Sequence, residues 1–333
     1  MEKKIKFIKI LTKDSYTEKN IDNTLCAFKS INNILVLVYS NQNKSIISFN
    51  LIDNKKINEM KNAHEENITN LIHYLDKSNK RDLILSVSDR DNSVKLWNIN
   101  DINCLLNIPK INDSGNLLSA CILNDKNQIY ILISNFNWYE DMIELIKVYD
   151  YNGNKIKEIN NSKENTFFID TYHDNKLSTI FIITGNLGYS KSYDYINNKL
   201  YKKYAEKDFY MHSILNITIY NKKEKTDLIE SSSDGIIRIW DFHKGLVLNA
   251  IQMCSPDEEI NGICLWDNNN YLCAGSAFNK TIKLIDLKEK KDINDIKGDN
   301  KISNIKEIIH PQYGEILISQ EYNGNIKLWI IQN

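Results

Sequence analysis

Arginine is almost missing from this sequence: of the 42 basic residues only Arg81, Arg90 and Arg238 carry a guanidinium, and the formal net charge is −1. Bidentate readers of phosphates and base edges are therefore scarce, which disfavours nucleic acid as a partner. Long apolar runs are missing too, since none approaches the roughly 18 residues of a membrane span. The N-terminal MEKKIKFIKIL alternates lysine with apolar residues and has no continuous apolar segment of the kind a secretory signal needs. A soluble protein of the cytoplasm, with the nucleus as the second location, is expected, and no membrane association. The six cysteines (Cys26, Cys104, Cys121, Cys254, Cys264, Cys273) include no C-x-x-C pair. Most lie inside apolar runs, where a thiol behaves as a small hydrophobe, and they are expected to be reduced.

Local catalytic and metal motifs are also lacking. The histidines (His64, His73, His173, His212, His243, His310) show neither H-x-H nor H-E-x-x-H spacing, so no metal site is expected, and no cofactor. GNLGYSKS at 185–192 has the outline of a phosphate loop, but Ser190 replaces the glycine before Lys191 and no helix follows, so a hairpin turn is expected. Ser276 follows Gly275 within a strand rather than at a nucleophile elbow.

What the sequence does contain is a repeat spread over its 333 residues. Its clearest copy, SSSDGIIRIWDFHKG at 231–245, places an Asp234-Gly235 turn before an alternating strand. Near-copies are SDRDNSVKLWN at 88–98, SAFNKTIKLID at 276–286, QEYNGNIKLWI at 320–330 and SNQNKSIISFN at 40–50, with weaker copies IELIKVYD at 143–150 and GYSKSYD at 188–194. The copies align Phe49, Trp97, Tyr149, Tyr193, Trp240, Ile285 and Trp329 at intervals of 44 to 52 residues, a period that marks a solenoid or propeller. Each unit alternates strand and turn, as in INGICLW at 260–266, YLCAGS at 271–276 and TIKLIDL at 281–287. A fourth short run such as CLLNI at 104–108 completes it.

Four antiparallel strands repeated radially form a propeller blade. The reading is one all-β domain, a seven-bladed β-propeller with blades near 21–60, 64–109, 117–160, 165–205, 212–252, 260–296 and 302–331. The last blade is one strand short, and the N-terminal KIKFIKIL at 4–11 is expected to complete it and close the ring.

These repeats resemble the WD-repeat family over almost the whole chain. The family's structural tetrad joins a histidine before the first strand, a serine or threonine in the second, an aspartate in the next turn and a tryptophan in the third. The unit at 64–98 matches it with His64, Ser86, Asp91 and Trp97. Partial sets remain elsewhere: Asp234 and Trp240, with Glu230 where serine belongs, and Ser319, Asn323 and Trp329, with Asp299 in the histidine region. The dipeptide Trp266-Asp267 instead falls at the end of a first strand.

The resemblance implies a non-enzymatic interaction scaffold that docks proteins or peptides on one face of the disc, monomeric by itself and working within a complex. Positions just before the turn Asp or Asn are presented there: Gln42, Arg90, Ser233, Phe278 and Tyr322, of which Arg90, Phe278 and Tyr322 have hot-spot chemistry. An insertion at 136–142 adds Trp138 and Tyr139. Trp138 can equally cap its own blade, and Phe278 or Tyr322 can simply cover the channel mouth. Two alternatives are a substrate receptor of a cullin-type ubiquitin ligase, for which His243 stands where the family box has arginine, and an enzyme whose site is assembled in the central channel.

Overall fold

The structure, a computed structural model, describes residues 4–17, 24–109, 118–135, 145–206, 212–221, 225–256, 258–266, 270–276 and 278–332. Among them every regular element is a strand, and no helix is long and apolar enough to cross a membrane. The strands form seven four-stranded antiparallel sheets, six of which contain four consecutive strands. The seven innermost strands, Leu25–Lys29, Asn70–Asp76, Leu118–Asp125, Thr166–Asp174, Ile214–Asn221, Ile260–Trp266 and Ile302–His310, surround a central channel. The chain is a seven-bladed β-propeller.

Burial explains why the strands read differently in sequence. In Arg81–Ser88, the second strand of blade 2, Leu83, Leu85 and Val87 pack toward blade 3 while Ile84 packs toward blade 1. A strand covered on both faces is therefore almost continuously apolar. The outermost strand of blade 1, Lys55–Met60, is covered only at one end and reads KKINEM. One apolar cluster fills each of the seven interfaces between neighbouring blades.

Turn chemistry follows the backbone. Gly235 has a φ of 72°, and a Cβ there would stand 2.7 Å from the Ser255 carbonyl oxygen. The segment at 185–192 is a hairpin, joining Thr179–Asn186 to Ser190–Asp194. Trp266 ends an innermost strand, so its adjacency to aspartate has no connection with the third-strand aromatics.

The seventh sheet is completed by the N-terminal strand Lys4–Thr12, which pairs with Ile326–Gln332 and sets Phe7 opposite Trp329. In the other six blades the pairing of third and fourth strands shifts register at the aligned aromatic or isoleucine, at Phe49, Trp97, Tyr149, Tyr193, Trp240 and Ile285. The N-terminal strand makes the same shift beside Trp329, between Phe7 and Lys9. It therefore occupies the place of a fourth strand in full. Phe7 meets the Trp329 ring edge-on at 5.4 Å, and Ile5 joins the cluster between blades 6 and 7.

Deleting residues 1–12 is expected to lower the melting temperature by roughly 10 °C or more, because it strips one edge of the last blade and reopens the ring. Calorimetry on the truncated chain checks this, and a wild-type melting curve would contradict the closure.

Candidate functional site

In blade 2 the expected tetrad converges. The Trp97 indole N–H donates to Ser86 Oγ at 2.8 Å, and Ser86 Oγ lies 2.7 Å from His64 Nε2. His64 Nδ1 is 3.1 Å from Asp91 Oδ2, which also accepts the Glu65 amide at 3.0 Å. Ser93, which the sequence reading did not include, donates to Asp91 Oδ1 at 2.6 Å. These partners assign the Nδ1–H tautomer to a neutral His64. Burial holds its pKa below the ordinary histidine value against the pull of Asp91. Burial alone would raise the Asp91 carboxyl, but hydrogen bonds from His64 and Ser93 hold it at about 2. The relay ties the loop entering blade 2 to the turn between its second and third strands.

Blades 4, 5 and 7 secure that loop differently. Position for position, Ser86 is matched by Ser319 in blade 7 and replaced by Tyr39, Ile133, Thr184, Glu230 and Ala274 in the others. Six of the seven third strands carry a cation two residues before the aligned aromatic or isoleucine: Lys95, Lys147, Lys191, Arg238, Lys283 and Lys327. Lys191 pairs with Glu164, Arg238 with Glu206 at 3.1 Å and Lys327 with Asp299 at 2.6 Å, and each acid lies in the loop that enters the same blade. Lys95 does the equivalent by donating to the Ala63 carbonyl at 2.8 Å.

The partial tetrads resolve into ion pairs. Asp234 binds Arg238 at 2.8 Å, and Lys327 also binds the buried Glu321 at 2.7 Å. Trp329 keeps its hydrogen bond to Ser319 at 2.8 Å, whereas Asn323 is exposed and accepts the Asn325 amide in its own turn. Trp240 is buried in the cluster between blades 4 and 5. The cation rule was visible in the repeat alignment, but its acidic partners sit at variable distances in the loops and give no periodic signal.

The turns and entry loops present the candidate docking residues. Arg90 and Gln42 are exposed, and Phe278 is 45% exposed with the Lys301 ammonium 4.2 Å above its ring. The half-buried Tyr322 donates its amide to the Lys301 carbonyl at 3.1 Å, so Phe278 and Tyr322 are joined through Lys301. Phe278, Tyr322, Gln42 and Arg90 belong to blades 6, 7, 1 and 2, one unbroken sector of the ring. Ser233 is half-buried on blade 5. Trp138 and Tyr139 lie outside the described residues.

The channel encloses about 510 Å³ and is lined by innermost-strand residues, among them Asp170, Lys306, Glu307 and the thiols Cys26, Cys121 and Cys264. Burial lowers the Lys306 pKa, raises that of Asp170, and together with Glu315 raises Glu307 to about 7. His73 is held at its Nε2 by Asp82 at 2.9 Å and stacks on Phe28. Among the described residues no three His, Cys, Asp or Glu side chains converge as metal ligands would.

Two stability predictions follow from the buried network. Asp91→Ala is expected to cost about 1–3 kcal/mol in denaturant melts, because it removes the carboxylate that accepts from His64, Ser93 and the Glu65 amide. Glu230, in contact with Ser190 of blade 4, has its carboxyl pushed up to about 7 by burial, against the opposing effects of Ser190 and Arg238. Its folded pKa lies above the unfolded value, so its contribution is full below about pH 4.5 and is lost as the pH rises through 7. Glu230→Gln should therefore gain roughly 2–4 kcal/mol over wild type near pH 8 and little near pH 5, read from urea midpoints at both pH values.

No family model matches this chain, and no curated protein matches it.

Proposed function

We propose that this propeller is a diverged WD-repeat protein and a non-enzymatic docking platform for protein or peptide partners. The observation that carries the reading is the sector formed by Phe278, Tyr322, Gln42 and Arg90 on four successive blades. Aromatic and arginine side chains presented from turns between the strands of adjoining blades make effective anchors. The family assignment draws on the blade 2 relay of His64, Ser86, Asp91 and Trp97, which has the family's residue types in hydrogen-bonding order.

The cullin-receptor version is less well supported. His243 binds the Tyr201 hydroxyl at 3.1 Å and lies 3.4 Å from Asp174, so its ring is engaged with the neighbouring blade. A catalytic reading would rest on Asp170, Glu307 and Lys306 in the channel. Burial disfavours the charged forms of Glu307 and Lys306, and His73, which lines the same channel, is already committed to Asp82. The reduced thiols suit a cytoplasmic or nuclear setting.

The test compares the full chain with an Arg90→Ala, Phe278→Ala, Tyr322→Ala triple variant in quantitative affinity purification from cells. Partners retained by the wild type should fall by roughly tenfold or more in the variant, with its melting temperature nearly unchanged. Equal recovery by both would remove the sector as the docking site.

A further inference from the structure

Cys264 and Cys273 stand directly opposite one another in blade 6, on the innermost strand Ile260–Trp266 and the second strand Tyr271–Ser276. Residues opposed in an antiparallel pair share a face, with Cβ atoms about 4.5–5.5 Å apart, while a disulfide needs about 3.5–4.5 Å. Only a slight local adjustment separates this pair from bonding geometry, and the two thiols already interact. The remaining cysteines have no such partner: Cys26 opposes Val38, Cys121 opposes Leu132 and Cys104 opposes Trp97. The Cys254 thiol turns to the Glu258 carbonyl in the loop that enters blade 6.

The two thiols are not equivalent. Cys264 is half-buried and lines the channel, where a small solute can reach it, whereas Cys273 is fully buried. Lys306, on the innermost strand of blade 7, lines the same channel. Cys26 lines it too, but it has no second thiol opposite it to complete a disulfide.

We infer that Cys264 and Cys273 form an oxidative modification site, in which a peroxide entering the channel oxidises Cys264 and Cys273 closes the disulfide. The Cys264 thiolate attacks one peroxide oxygen; the O–O bond breaks, and the departing hydroxide takes a proton and leaves as water. The Cys273 sulfur gives up its proton and attacks the resulting sulfenic acid. An S–S bond forms, the S–O bond breaks, and a second water leaves with that proton. In sum, two thiols lose two electrons and two protons, and one hydrogen peroxide becomes two waters. The inference is independent of the docking reading.

The experiment treats the full chain with hydrogen peroxide, removes the excess with catalase, then denatures and alkylates it. The intact mass before alkylation should fall by about 2 Da. Two of the six cysteines should then resist alkylation, and the cross-linked peptide should join Cys264 to Cys273. Cys273→Ser should leave Cys264 as a sulfenic acid captured by dimedone, and Cys26→Ser should still lose two thiols. Six alkylated cysteines in the treated wild type, a different mapped pair, or Cys264 oxidised without a disulfide would overturn the site. The wild-type measurement decides this even if a variant fails to fold.

Discussion

The pairing of Lys4–Thr12 with Ile326–Gln332 is the contact on which the remaining architecture depends. Every other blade is built from adjacent segments of chain and can form its own hydrogen bonds. Its apolar faces, however, are covered only when both neighbours are in place. The cluster between blades 7 and 1 and the one between blades 6 and 7 both draw on the last blade, and Ile5 and Trp329 meet in the second of them. One strand contributed from the opposite end of the sequence thus turns a row of sheets into a closed ring. After that strand the chain passes onto the last blade's turn, where Ser15 bonds the Gly324 carbonyl through both its amide and its hydroxyl.

Within the ring, each blade must hold the loop that enters it against its own third strand. Blade 2 uses a neutral histidine relay, in which every polar hydrogen has a partner. Blades 4, 5 and 7 use an enclosed cation and a loop carboxylate: Lys191 with Glu164, Arg238 with Glu206, Lys327 with Asp299. The tasks are alike and the chemistry differs. The relay's one charge is the Asp91 carboxylate, stabilised by hydrogen bonds from His64, Ser93 and the Glu65 amide, whereas an enclosed cation must be matched by acids or it destabilises the fold. The blade geometry therefore recurs around the ring although the relay residues do not. At five of the seven serine positions stand Tyr39, Ile133, Thr184, Glu230 and Ala274, which retain the strand but not the relay serine.

Blades 6 and 7 are packed with unusual closeness at the channel end. Gly262 and Gly275 oppose each other, and a Cβ on Gly262 would come within 2.7 Å of the Ile305 amide nitrogen. Cys264 and Cys273 are the next pair on that face, and small side chains at both pairs let the innermost strand of blade 7, with Lys306, lie against blade 6. The same close approach places Lys306 and Cys264 on one stretch of the channel wall. On the disc face the contiguity of Phe278 with Tyr322 likewise arises from neighbouring blades, through Lys301.

The repeat interval, the strand alternation and the missing last strand were all legible in the sequence, because each blade is a local unit whose burial pattern is written in consecutive residues. The blade number and the closing segment follow from that local periodicity. The relay of His64, Ser86, Asp91 and Trp97 was legible for the same reason, its members falling at repeat positions within one unit. What only the tertiary structure decided were contacts between units. These are the loop acids that satisfy Lys191, Arg238 and Lys327, the reach of Glu230 to Ser190 of the preceding blade, the joining of Phe278 to Tyr322, and the pairing of Cys264 with Cys273 beside Lys306. Their partners are set by how sheets stack and loops fold back, and no fixed spacing along the chain encodes either.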